Sequence, residues 1–82
     1  MLEKEDFIKL SVVQQMILIM DKGYTLLARK EGNMSIKLFE LNGFFIEVRY
    51  HLKENKILSV EVVDLNDVTD DYLANIHIDN IF

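Results

Sequence analysis

The side chains with the means to do chemistry fall into three groups. Four acids, Asp64, Asp67, Asp70 and Asp71, crowd the approach to the last apolar segment, and carboxylates are what a hard cation such as calcium takes as ligands. Their spacing lacks the central Gly and terminal Glu of a calcium-binding loop, so they read as helix-capping groups. The two imidazoles, His51 and His77, form no close His-x-x-His or His-x-x-x-His pair and have no Cys to supplement them. His51 reads as a solvated strand residue and His77 as a helix-end residue suited to the dipole. Glu47 and Glu61, with Arg49 and Lys37 near, could be drawn as an acid pair for hydrolysis. General acid catalysis needs a carboxyl whose pKa is raised by burial, and an open sheet face resists that, so a cross-strand charge ladder is the better description. Gly23, Gly32 and Gly43 stand far apart, which excludes a glycine-rich phosphate loop. No catalytic residue is assigned, and no metal or cofactor is expected.

The elements that position these residues are organised around Ser35 to Asp64. The even positions Ile36, Leu38, Phe44, Ile46, Val48, Tyr50, Leu52, Leu58, Val60 and Val62 are apolar or aromatic, and most residues between them are polar. That alternation belongs to half-buried antiparallel strands. Keeping the even side on one face requires odd loops. A three-residue Leu41-Asn42-Gly43 loop sets Leu38 against Ile46 and Ile36 against Val48, whereas a two-residue Asn42-Gly43 turn would bury Lys37 beside Val48. The odd-loop reading gives a meander of Tyr24–Lys30, Met34–Glu40, Phe44–Leu52 and Lys56–Asp64, with Glu31-Gly32-Asn33 and Lys53-Glu54-Asn55 as the other loops, Asn55 being left-handed.

Ahead of the sheet, Lys4 to Lys22 reads as one helix stopped by a left-handed Gly23. Its apolar arc covers on the order of 200°, against about 100° for a surface helix, so it should touch a second element or a second chain. Phe7 and Leu18 fall on its polar side. The competing reading makes Met16 to Met20 a strand paired with Tyr24 to Ala28 through an Asp21-Lys22-Gly23 turn. After the sheet, a short helix from about Asp70 to Ile76, capped by Thr69 or Asp67, leads to an apolar tail of Ile78, Ile81 and Phe82. The fold class is therefore α+β, a single domain over residues 1–82 with an N-terminal helix packed on a four-stranded antiparallel meander.

Length and charge set further bounds. A chain of 82 residues buries only roughly 60–65% of its unfolded surface, so its margin of stability is small. With 50% hydrophobic residues and no Cys, it must hold by packing alone. A net charge of -5 disfavours a nucleic-acid partner. The Met16 to Met20 run is too short to span a bilayer, and the acidic start is the wrong flank for a signal peptide, so no membrane is expected and a cytoplasmic location is.

The run Phe44 to Tyr50, the polar turn around Asn55, Lys56-Ile57, and Asp71-Tyr72-Leu73 with Ile76-His77-Ile78-Asp79 resemble a group of small bacterial proteins of unknown function. Those share an aromatic strand, a turn, a strand, a short "YL" helix and an "I-x-I" tail. The resemblance covers the second half of the chain and implies no activity and no catalytic residues.

Odd-length loops also place Thr25, Phe39, Phe45 and Val63 in one row on the outward face, beside Leu27 and Leu41. An apolar patch of this size is seldom shown to water by a soluble monomer. Either the C-terminal helix and tail cover it, or Leu27, Phe39, Leu41, Phe45 and Val63, with Phe7 and Leu18, form an interface with a protein partner or a second copy. The sequence thus points to a non-enzymatic protein-binding or assembly module, homodimeric. The alternatives are a small-ligand-binding or catalytic domain with a pocket between helix and sheet, and an acidic inhibitor or regulator of a basic partner.

Overall fold

A computed structural model describes residues 2–73. The elements run α1 (Lys4–Ile8), α2 (Val12–Lys22), β1 (Tyr24–Glu31), β2 (Met34–Leu41), β3 (Phe44–His51), β4 (Lys56–Val63) and α3 (Leu65–Leu73). The four strands form one antiparallel sheet in the order β1-β2-β3-β4, and the class is α+β. Each strand begins where the alternation places it and ends within one residue of it. No described helix is long and apolar enough to cross a membrane.

The N-terminal helix is broken in two, and Met16 to Met20 is helical rather than a strand. Ser11 makes the break: its Oγ accepts from the Gln14 amide at 3.2 Å while Gln14 Oε1 accepts from the Ser11 amide at 3.0 Å. This reciprocal cap satisfies two donors at the start of α2. Two axes can bury two faces, which explains Phe7, fully buried although it lies on the polar side of a single straight helix. Gln15 Nε2 donates to the Phe7 carbonyl at 3.0 Å and ties α2 back to α1. Gly23 ends α2 without left-handed backbone, at φ -83 and ψ 158. It is glycine for another reason: a Cβ there would come within 2.7 Å of the Ile19 carbonyl oxygen.

The loops contradict the odd-length reading. Leu41 pairs with Phe44 across a two-residue turn, Asn42-Gly43, with φ 49 and 86. Both values are positive, as a type I′ hairpin requires. Glu31 pairs with Met34 across Gly32-Asn33, where Gly32 has φ 58. Lys37 therefore lies opposite Val48, Phe39 opposite Ile46, and Leu38 opposite Glu47. The fourth-strand register agrees at Val48 with Val60 and at Phe45 with Val63, then shifts so that Tyr50 meets Ile57 instead of Leu58. That loop spans Leu52 to Asn55, with Asn55 left-handed at φ 57. The parity argument fails because both faces of the sheet are covered, so β2 supplies Phe39 and Leu41 to one side and Ile36 and Leu38 to the other.

Two cores result. On one face α1 and α2 enclose Phe7, Ile19, Leu41, Ile46 and Val48, with Phe7 edge-on to Phe44 at 5.6 Å. On the other, α3 sets Val68 and Tyr72 over Ile36 and Leu38. Helix α3 begins five residues earlier than expected, because Asp64 Oδ1 accepts from the Asn66 amide at 2.9 Å and does the capping assigned to Asp67 or Thr69. Its expected extension to Ile76, His77, and the tail of Ile78, Ile81 and Phe82 lie outside the described residues.

Candidate functional site

The polar residues of the α3 face are tied to one another. Glu47, 3% exposed, accepts from the Tyr72 hydroxyl at 3.2 Å on Oε2 and pairs through Oε1 with Arg49 at 2.9 Å. Arg29 lies over the Tyr72 ring, 5.2 Å from its centroid, and pairs with Glu31. Burial first, and then the Glu47 charge and hydrogen bond, push the Tyr72 hydroxyl up to about 12. Burial opposes the Arg29 charge, but the hydrogen bond and charge of Glu31, with Glu47 and Tyr72, raise its pKa above the usual value. Glu47 does lie opposite Glu61, yet it is locked under α3 rather than open to a substrate, and Lys37 is on the far side of the sheet. This cluster seals a helix onto a sheet.

The opposite face is half covered. Helices α1 and α2 close the end nearest the Asn42-Gly43 turn. Toward the other end the register aligns Lys37 with Val48, and Ser35 with Tyr50 and Ile57. Between this end and α2 lies a groove of about 630 Å³ whose apolar wall includes Met16, Met20, Phe39, Val48, Leu52 and Ile57. Its polar atoms come from Thr25, Ser35, Lys37 and Tyr50. Beside it, Val13, Ile17 and Met20 project from α2 at 68%, 60% and 81% exposure. Their spacing of four and three residues makes a single stripe on the helix. Ile57 and Leu52 are exposed across the groove, so the stripe, groove and far rim make one apolar surface. Lys37 is exposed, and among the described residues no helix covers it, which removes the cost that argued against its register.

The residues expected to form an interface are divided between the two cores. Phe7 and Leu41 are fully buried on the α1–α2 face, where Leu18 and Phe39 pack half-buried against them. Leu27, Phe45 and Val63 pack against the α3 cluster. The row joining Phe39 to Phe45 does not exist, since Phe39 pairs with Ile46. His51 is a loop-holding residue whose Nδ1 accepts from the Glu54 amide at 3.0 Å. Asp64 caps α3, Asp67 lies in its first turn, and the side chains of Asp70 and Asp71 lie outside the described set. Among the described residues, no three His, Asp or Glu side chains gather as a metal site. Reading the chain as one helix hid the stripe Val13, Ile17, Met20 within an overwide arc, although the Ser11-x-x-Gln14 cap that separates the two helices is present in the sequence.

Comparison of the chain with protein families, curated proteins and solved structures found no match.

Proposed function

We propose that this protein is a non-enzymatic protein-binding or assembly module that docks through the open half of the α1–α2 face. The observation that supports this reading is the exposure of Met20, Leu52 and Ile57 at one groove, with Val13 and Ile17 exposed beside Met20 on α2, since clustered exposed apolar side chains mark contact surfaces. The test is affinity purification of the tagged protein, wild type against Met20→Glu. Met20 is exposed, so its replacement leaves folding intact. A specific companion retained by the wild type and lost from the variant, with identical circular dichroism, supports docking; identical recoveries overturn it.

The groove favours a second reading. Its volume falls within the roughly 300–1,000 Å³ of small-molecule sites, and Tyr50, Ser35 and Lys37 give an apolar ligand a polar end to meet. Native mass spectrometry showing a retained small molecule, lost in Val48→Trp, would favour this reading over protein docking.

A further inference from the structure

We infer that the open half of the α1–α2 face is filled by a second copy of this chain, with Met20 of each copy entering the groove of the other about a two-fold axis. The inference rests on the docking reading and names its occupant.

A two-fold contact uses one patch on both subunits, so that patch must complement itself. This one does: a convex apolar stripe, Val13, Ile17 and Met20, stands directly beside a concave apolar groove, and Met20 borders both. Rotation about an axis passing between the two Met20 side chains sets each stripe over the other groove. Val13, Ile17 and Met20 on the stripe and Leu52 and Ile57 on the groove rim are the exposed apolar side chains this contact would cover, with charged residues at its edge.

The charges fit the same operation. Asp21 follows Ile17 by four residues and extends the stripe at its C-terminal end. Lys37 stands on the rim of the groove. Both are exposed, and neither has an ion-pair partner among the described residues. With Met20 in the opposite groove, Asp21 of one copy meets Lys37 of the other, twice per dimer. Strand β1 adds Lys30, aligned with Ser35 of β2, as a further cation on this side. Helix α3 lies across the opposite face and leaves this contact free.

Sedimentation equilibrium of the full chain between about 1 and 200 µM, with circular dichroism as a folding control, tests the inference. The wild type is expected to dimerise, and Met20→Glu to weaken dimerisation at least ~100-fold. Asp21→Lys or Lys37→Asp alone should weaken it about tenfold, and the two together should restore it to within about threefold. A dimer insensitive to Met20→Glu, or a double charge reversal no better than its parents, overturns the arrangement. A monomer at every concentration overturns the second copy as occupant, and binding of an apolar fluorescent dye then separates the two readings. Dye bound by the wild type and not by Met20→Glu leaves the docking surface to a different partner. No dye bound by either removes the docking surface as well.

Discussion

On the α3 face, nine helical residues lay Val68 and Tyr72 over Ile36 and Leu38 and enclose even a carboxylate, Glu47. On the opposite face α1 and α2 are longer together, yet beside them Lys37, Leu52 and Ile57 stay exposed around a groove. The difference lies in what each helix carries. Closing over a charge requires partners for it, and Tyr72 with Arg49 supplies them. Helix α2 has no such group reaching Lys37, Ser35 or Tyr50, and it turns its own apolar stripe away from the sheet. The contrast between Ile36, Leu38 and Glu47 buried under α3 and the exposed apolar side chains beside the groove on the other face is what supports the proposed docking surface.

The contrast can be broken most forcefully at the closed face. Leu38→Ala, at a fully buried position, is expected to cost about 2–5 kcal/mol in denaturant unfolding, while Ile17→Ala, on the open side, changes monomer stability by less than about 0.5 kcal/mol. Equal losses at the two sites would erase the distinction. Next comes the hydroxyl over Glu47. The folded pKa of Tyr72, about 12, lies above the ordinary value of 10.0, so its neutral form stabilises the fold. That contribution is fully present below about pH 10 and is lost as pH rises through about 12, on the order of 2 kcal/mol. Between those values the wild type should lose more stability than Tyr72→Phe; parallel curves would show that the hydroxyl is not held as described. Glu47→Ala leaves Tyr72 and Arg49 without their acceptor and should cost about 1–3 kcal/mol in the same assay. The smallest effect concerns the turn that sets the faces: Gly43→Ala, at φ 86, should cost about 1 kcal/mol, whereas Asn42→Gly should be nearly neutral in thermal unfolding.

The strands themselves were legible, because alternation within a strand depends only on which side is wetter. Their relation across loops was not, because an apolar residue does not say which of two covered faces it serves. Asn42-Gly43 carried the answer: both residues tolerate positive φ, and that local preference outranks the wish to keep Lys37 from Val48 when Lys37 can stay exposed. The helix break was legible too, in Ser11 and Gln14, but the continuous apolar arc around them outweighed a two-residue cap. Helix α3 started early because Asp64 caps it, a role that Asp67 and Thr69 could fill equally well by type. The candidate surface followed the register, so the expected apolar patch was attached to Phe39 and Phe45, which face opposite sides of the sheet. On the first helix, Phe7 and Leu18, read as its outward side, pack in the core, and Val13, Ile17 and Met20 of the apolar arc are exposed.

Methyl NMR as a function of protein concentration tests the distinction between the faces most directly. Between about 10 and 500 µM, the methyls of Ile17, Met20, Leu52 and Ile57 should shift or broaden together, while those of Ile36, Leu38 and Val68 stay fixed. Movement centred on the residues under α3, with the groove methyls unchanged, would contradict the assignment of the open face as the contact surface.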